Sequence, residues 1–353
     1  EAEVGLTEGN IFQGELTMDQ NSDQQPKSAI RRLAGKALLW SLTAGCFYLV
    51  YARTNAAAAR EDKTLLTFIG DFFAAADWVL WLCVMMPYSI FFFLVDTHAT
   101  WRVVRWFNSS AVRYRDMLPI RASAYILSLI NEQIGKGAMS LYLLRRHEIP
   151  GWKAISSMVL LGMVEIYQLL IFSAVGVWLY YDLVVAASSQ VALHQILISV
   201  FVVAACYFPV HLMLFRSDWF DGWRFRDNSL FSAFRQARAL DYGLILLFKA
   251  PNLLLAVLVY TLSLNLFSVP VAFGQMLAFL PVIFIAAALP LPFHAGALVL
   301  WTVLFPDFPE VGIFSLVMHT FFVSFNALIG LVFLPMANRQ LFDEGTPVSG
   351  LQD

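Results

Sequence analysis

The stretch NEQIGKG at residues 131–137 lies in the middle of an apolar run that extends from Ala122 to Leu144. A run of this length can cross a bilayer as an α-helix, but its centre carries an acid, a base, two amides and two glycines. Charges at bilayer depth are costly and usually face a cavity or a partner. Glycines there let the backbone break, which is tolerated only where it is buried in protein or lines water. The stretch therefore predicts a broken or re-entrant segment, with a membrane bundle built around it.

The composition of the whole chain agrees with a membrane location. Of its 353 residues, 59% are hydrophobic and 14% are charged, whereas soluble globular proteins have about 25% charged residues. The mean hydropathy is +0.67. We therefore predict an all-α integral membrane protein, folded as a polytopic helical bundle.

Several classes of function find no support in the sequence. No soluble basic face exists, so nucleic acid is not expected as a partner. Cys46, Cys83 and Cys206 fall in apolar runs and lack the spacing of metal ligands. P-loop, dinucleotide-binding, zinc-protease and nucleophile-elbow motifs are absent. We expect no metal and no cofactor, and enzyme chemistry has no support beyond scattered acids.

The apolar runs divide the chain into about six full spans and two broken segments. Residues 1–29 read as a disordered polar tail, residues 30–339 as the transmembrane domain, and residues 340–353 as an acidic tail. The broken segments are 122–144 and 269–305, the latter in two pieces, 269–288 and 293–305. The predicted full spans are 37–52, 75–95, 154–180, 192–214, 241–265 and 312–335.

Basic residues predict the orientation, because Lys and Arg concentrate in cytoplasmic loops. Arg31, Arg32 and Arg339 place both termini in the cytoplasm. Arginines at both ends of 122–144 favour a hairpin that enters from the cytoplasm and returns to it. The same count of basic residues predicts that 269–305 enters the membrane from the opposite face and returns to it. Two dips from opposite faces suggest inverted repeats, a design found in many transporters; the alternative is a plain eight-helix bundle.

Four charged residues within the apolar runs are candidate ligand contacts. Glu132 and Lys136 lie four residues apart and share a face if helical; they either line a polar cavity or form a structural ion pair. Glu165 lies about a dozen residues into a span, where an acid is a functional candidate by default, or a hydrogen-bond partner of another helix. Lys249, beside Pro251, either contacts an anion or snorkels to the interface.

The second broken segment contains the motif LPLPFHAG at residues 289–296. A lone histidine is more often structural than functional, but the position of His294 at a proline break makes it a further candidate contact. Proline removes a backbone donor and glycine permits unusual backbone angles. The residues predicted to break or hinge the backbone are Gly135, Gly137, Pro251, Pro290, Pro292 and Gly296.

Segment 215–238 mixes arginines with aromatic residues, which suits an interfacial helix in contact with anionic lipid. The alternative is ordinary anchoring on the cytoplasmic side. The predicted lipid-interface residues are Arg216, Trp219, Trp223 and Arg224.

Two stretches resemble known families. The sequence SLINEQIGKGAMSLYLLRRHEIP at 128–150, followed by AISS at 154–157 and by Glu165, is similar to the first signature of the lysylphosphatidylglycerol synthase transmembrane family. The break after Leu289 resembles the family's late Pro-x-x-Pro-Gly-Gly-x-Gly motif. Residues 5–20, GLTEGNIFQGELTMDQ, resemble a short stretch of phytoene-desaturase-like flavoproteins; without a dinucleotide-binding motif they read as a tail.

The first resemblance covers residues 35–338, mostly as a pattern, and marks a divergent member. The early turn lacks the family's proline, and histidine and alanine stand where glycines are usual in the late break. The resemblance implies a flippase-like protein that handles charged phospholipids, and it maps Glu165, Gly135 and Pro290 onto the family pattern. The soluble aminoacyl-transfer domain of some members has no counterpart here, so lysyl transfer is not carried over.

Three functions follow as hypotheses. The first is a lipid transporter or flippase of the bacterial inner membrane, in which Lys136, Lys249 and His294 contact an anionic headgroup while Glu132 and Glu165 compensate charge or bind a cationic group. The second is a non-enzymatic accessory subunit of a larger complex, whose aromatic residues face other membrane protein subunits. The third is an intramembrane lipid-modifying enzyme that uses Glu165 and His294.

Overall fold

The computed structural model describes residues 24–128, 132–187, 192–289 and 291–342. Within these ranges the chain is helical, and no strand is found. Short 3₁₀ helices lie at Asp218–Phe220, Ser229–Phe231 and Pro292–His294. The α-helices are α1 Gln24–Arg60, α2 Leu65–Ala74, α3 Trp78–Phe107, α4 Tyr114–Ser128, α5 Glu132–His147, α6 Gly151–Leu179, α7 Tyr181–Ala187, α8 Leu193–Arg216, α9 Ser232–Gln236, α10 Ala239–Leu266, α11 Phe273–Ala287, α12 Ala295–Leu304 and α13 Val311–Phe342.

Six of these helices are long and apolar enough to cross a membrane: α1, α3, α6, α8, α10 and α13. The predicted multi-pass, all-α bundle with six full spans is thereby confirmed. The helices are longer than the predicted spans because a helix continues past its apolar part where no residue breaks it. α1 includes the alanine run 56–59, which was predicted as a loop although alanine is the strongest helix former. α3 likewise extends through 96–107, also predicted as a loop.

The predicted tail boundaries also shift. α1 begins at Gln24, inside the predicted tail of residues 1–29, and α13 ends at Phe342, inside the predicted tail of residues 340–353. Residues 1–23 and 343–353 lie outside the described part of the chain.

Two pairs of short helices interrupt the series of spans. α4 and α5 have 15 and 16 residues and pack against each other. α11 and α12 have 15 and 10 residues and also form a packed pair. At about 1.5 Å per residue, none of the four reaches across a hydrocarbon core of about 30 Å. The two broken segments predicted from the sequence are thus helical hairpins.

The positions of the breaks differ from the prediction. Gly135 and Gly137 lie inside α5, and Pro251 lies inside α10, so none of the three interrupts its helix. Glycine and proline are tolerated in membrane helices where neighbouring helices satisfy the backbone. The link between α4 and α5, at 129–131, lies outside the described residues, as does Pro290.

Each hairpin packs one of its helices against α6 and the other against α13. α4 packs against α13 and α11 packs against α6, while α5 packs against α6 and α12 against α13. α3 and α10, which precede the two hairpins, pack against each other. The helices α3–α6 and α10–α13 thus show matching packing patterns, and these two units are here called the repeats.

Two glycines allow close backbone contacts between these repeats. A Cβ atom built on Gly176 of α6 would lie 2.6 Å from the carbonyl oxygen of Leu277 in α11. A Cβ atom on Gly330 of α13 would lie 2.5 Å from the carbonyl oxygen of Ala122 in α4. Each glycine therefore lets a long helix touch the backbone of the first helix in the opposite hairpin, as small residues do in membrane helix packing.

Replacing either glycine by alanine is expected to destabilise the bundle. The added methyl group has no room at Gly176 or Gly330, and overpacking of this kind costs about 1–3 kcal/mol. Thermal unfolding of the purified protein in detergent measures the effect. The matched control is Gly45→Ala in α1, where a Cβ meets nothing within 4 Å. Equal unfolding temperatures for all three variants would contradict the close packing.

Candidate functional site

Asp96 of α3 is the centre of a buried charge cluster, and its side chain is 2% exposed. Its Oδ2 atom accepts hydrogen bonds from Arg121 Nε at 2.6 Å and from the Tyr125 hydroxyl at 2.7 Å, both on α4. Its Oδ1 atom accepts a hydrogen bond from Lys249 Nζ of α10 at 2.9 Å. A single carboxylate on α3 thus binds side chains of α4, in the first hairpin, and of α10.

Lys249 extends the cluster to a fourth helix, because its Nζ atom also donates to Glu165 Oε1 of α6. Two acids and two bases make the cluster formally neutral, as burial at this depth requires. Side-chain exposure is 6% for Lys249, 14% for Arg121 and 34% for Glu165. Glu165 is therefore the member of the cluster that a ligand reaches first.

Further contacts hold the cluster in place. The guanidinium carbon of Arg121 lies 5.1 Å from the centroid of the Tyr125 ring, one turn further along α4, which is a cation–π distance. Asn252, three residues after Lys249, donates from Nδ2 to the Phe92 carbonyl oxygen of α3 at 3.3 Å. The cluster thus lies where α10 contacts α3, so the side chain of Lys249 has a fixed position between its two carboxylates.

Some buried polar atoms on α6 and α10 have no protein partner in the described part of the structure. Among them, the two that belong to buried side chains and lie nearest in sequence to Glu165 and Lys249 are Nε2 of Gln168, which lies one turn after Glu165 on α6, and Oδ1 of Asn252 on α10. Both residues are 5% exposed. Buried polar atoms are normally hydrogen-bonded to protein, water or a ligand. Gln168 and Asn252 are therefore available to a polar ligand on the helices that carry Glu165 and Lys249.

The structure brings together two of the five predicted contact residues, Glu165 and Lys249. Glu132 and Lys136 lie one turn apart on α5, but their side chains fall outside the described part of the structure. His294 belongs to another group: it is exposed at the start of α12, where its ring contacts that of His319. The described contacts of Glu165 and His294 do not connect the two residues, so they give no support to a shared catalytic site.

Three members of the cluster were not predicted as site residues: Asp96, Arg121 and Tyr125. The predicted span 75–95 ends just before Asp96, and Arg121 directly precedes the predicted broken segment 122–144, so neither residue lies inside an apolar run. One signal was available, because no glycine or proline lies between Pro87 and Pro119. A helix that begins in the apolar run can therefore continue through Asp96.

Of the residues predicted to break the second segment, Pro292 opens a 3₁₀ helix and Gly296 lies in the first turn of α12. A Cβ on Gly296 would lie 2.8 Å from the Ala286 carbonyl oxygen. Glycine is thus required there for α12 to approach the end of α11.

Segment 215–238 folds into two 3₁₀ turns and the short helix α9, and not into the predicted interfacial helix. Arginines inside the segment hold it together: Arg226 donates to the Ser217 carbonyl at 2.8 Å and pairs with Asp221 at 2.7 Å. Arg235 donates to the carbonyl oxygen of Asn228 at 2.9 Å. Phe215 and Phe234 at the two ends of the segment pack into the hydrophobic core, while the stretch from 216 to 225 is largely exposed.

The four predicted lipid-interface residues are all exposed, namely Arg216, Trp219, Trp223 and Arg224. Trp219 is the most exposed large apolar residue that the structure describes, at 87%. Contact of this surface with lipid headgroups stays a prediction.

Among the residues with a described position, no three His, Cys, Asp or Glu side chains form a group that could hold a metal ion. Comparison with protein-family models, curated proteins and solved structures finds no match to this chain. The resemblance to the lysylphosphatidylglycerol synthase transmembrane family therefore stays a prediction, and function is argued from the site alone.

Proposed function

We propose that the protein is a flippase-like membrane transporter that binds and moves an amphipathic lipid with a charged headgroup. The observation that carries the proposal is the Glu165–Lys249 ion pair, which is partly exposed at one end of a neutral, otherwise buried cluster. The bacterial inner membrane, with both chain termini in the cytoplasm, is part of the same proposal and rests on the distribution of arginines.

A charged headgroup is the ligand that this pair can exchange for itself. A phosphate can replace the carboxylate of Glu165 at Lys249, while Asp96 continues to hold the lysine from the buried side. A cationic group can replace Lys249 at Glu165. In the first exchange the displaced carboxylate is that of Glu165, the most exposed member of the cluster, and in the second the lysine keeps Asp96 as its partner. Opening the pair without a ligand gains no such replacement contact, and an uncompensated buried charge costs several kcal/mol.

The difference in free energy between opening the ion pair with and without a headgroup couples headgroup binding to a conformational change. A ligand shifts an equilibrium only by its differential affinity for the two states, and here the open state of the ion pair is the one that binds the headgroup. The pair joins α6 to α10, one helix from each repeat. Headgroup binding therefore loosens a contact between the repeats, as alternating access requires.

The test is lipid movement in proteoliposomes that contain the purified protein and a fluorescent phospholipid, read by quenching from one side of the membrane. We expect the wild type to accelerate movement and Glu165→Gln to lower the rate at least tenfold, because the amide cannot hold the charge of Lys249 or of a cationic group. The matched control is Glu148→Gln, the same change at an exposed residue after α5.

Equal rates for wild type and Glu165→Gln would show that Glu165 is not part of the transport site. A wild-type rate equal to that of protein-free vesicles, for anionic and zwitterionic lipids alike, would overturn the proposed function. If the protein then also copurifies with a stoichiometric membrane partner, the accessory-subunit hypothesis takes its place.

A further inference from the structure

A pair of histidine rings lies at the tip of the second hairpin. The ring centroids of His294 and His319 are 4.4 Å apart, with an interplanar angle of 60°. His294 precedes α12 with a left-handed backbone, φ 51° and ψ 37°. Such a conformation costs free energy in a residue other than glycine and tends to occur where a site fixes it. Both residues are exposed, so a ligand can reach both rings.

The hydrogen bond of His294 determines which of its nitrogens is available. Its Nδ1 lies 2.9 Å from the carbonyl oxygen of Ala287, at the end of α11. A carbonyl only accepts, so Nδ1 carries the proton and Nε2 is left for a ligand. His319 on α13 places its ring against that of His294, so two imidazole rings from different helices meet at the hairpin tip.

The position of His319 matches that of Glu165 in the other repeat. Glu165 lies eleven residues before Gly176, which contacts α11, and His319 lies eleven residues before Gly330, which contacts α4. Each glycine contacts a backbone carbonyl in the first helix of the opposite hairpin. The equal spacing therefore places Glu165 and His319 at the same number of helical turns before these contacts.

Equivalent positions in the two repeats lie toward opposite membrane faces. Each full span reverses the direction of the chain, so the crossings by α6, α8, α10 and α13 leave α6 and α13 running in opposite directions. Glu165 and His319 thus lie at corresponding places on two oppositely directed helices, although their partners differ: Lys249 belongs to the other repeat than Glu165, and His294 to the same repeat as His319.

From these observations we propose that His294 and His319 form a second headgroup site, which opens toward the face opposite the Glu165–Lys249 site, and that it binds the phosphate group of the transported lipid. This inference rests on the proposed function and adds a site to it. A phosphate accepts hydrogen bonds, so its binding favours the form of each histidine that is protonated on both nitrogens and offers only donors. α12 begins directly after His294, so the positive end of its dipole also favours an anion over a metal cation.

The experiment measures protection of individual histidines from acylation by diethylpyrocarbonate, read by mass spectrometry on the full-length protein in detergent. The probes are a short-chain phosphatidylglycerol and, separately, inorganic phosphate at the same concentration. We expect the lipid to slow the modification of His294 and His319 about fivefold or more. His194, on α8, serves as the internal control and keeps its rate.

The variant His319→Asn tests whether the side chain of His319 itself binds the lipid or only lies next to His294. Losing one charge-assisted hydrogen bond should raise the lipid concentration that half-protects His294 about tenfold. His194→Asn is the matched control and should leave that concentration unchanged. Normal unfolding temperatures for both variants exclude loss of folding as the cause.

The outcomes distinguish the sources of the phosphate and the two proposals. Protection by lipid and not by inorganic phosphate supports a lipid headgroup site, while equal protection by inorganic phosphate overturns the lipid as its ligand in favour of the free ion. Protection by neither probe overturns the second site. If wild-type transport and its loss in Glu165→Gln persist in that case, the proposed function stands without this inference.

Discussion

The variant Asp96→Asn is expected to lower the stability of the folded protein by about 3–5 kcal/mol, the cost of breaking a buried ion pair from one side. Asp96 is the buried partner of both Arg121 and Lys249. The amide is almost the same shape but carries no charge, so the cluster changes from neutral to a net positive charge. Neither cation can move into water without displacing a helix.

The measurement is equilibrium or thermal unfolding of the purified protein in detergent, compared with Asp77→Asn. Asp77 precedes α3, is exposed, and caps the helix by accepting a hydrogen bond from the Leu80 N–H at 3.0 Å. Asparagine caps a helix about as well as aspartate, so this control should stay within about 0.5 kcal/mol of wild type. Equal stability of the two variants would mean that Asp96 is not the buried centre of the cluster.

A second substitution should recover much of the loss. Lys249→Met in the Asp96→Asn background removes the excess cation and leaves Arg121 and Glu165, one charge of each sign. We expect the double variant to be more stable than Asp96→Asn alone, with a coupling energy of about 1–3 kcal/mol, as for residues in one network. Additive losses would show that the two residues act independently.

The bundle was largely predictable from the sequence because a membrane-spanning helix needs a long run of apolar residues. Apolar length identifies the spans, and the short apolar pieces around Pro290 and the polar centre of 122–144 identified the two hairpins. The exact breaks were not predictable from glycine alone. Gly135 and Gly137 lie inside α5 because a glycine only permits a break, and packing against α4 and α6 decides whether it occurs.

The site was predictable only in part, and the reason is physical. Glu165 and Lys249 lie deep in apolar runs, where a charge stands out, whereas Asp96 and Arg121 lie at the ends of such runs and read as loop residues. Which charges pair depends on how α3, α4, α6 and α10 pack, and nothing in a single sequence states that. The equal spacing of Glu165 from Gly176 and of His319 from Gly330 can be interpreted only when the contacts of the two glycines are known.

We expect the flanks of the two hairpins to be accessible to a labelling reagent from opposite faces of the membrane, each from one face only. Single cysteines replace Arg115 and Arg145 beside the first hairpin, and Phe273 and Asp307 beside the second, in a background without the three native cysteines. All four positions are exposed. A membrane-impermeant maleimide should label the first two from one side only and the last two from the other side only. Arg121 is unsuitable as a probe because it pairs with Asp96.

Parity makes this result decisive for the inverted arrangement. Between Arg145 and Phe273 the chain passes through α6, α8 and α10, three crossings that must end on the opposite face. Labelling of both flanks of each hairpin from one face, with the faces differing between hairpins, requires that each hairpin returns and that an odd number of the three helices cross, as three do here. If Arg115→Cys and Arg145→Cys react from opposite sides, α4 and α5 together cross the bilayer and the bundle is not an inverted repeat. If all four positions react from the same side, one of the three helices does not cross, and the histidine pair cannot open to the face opposite Glu165.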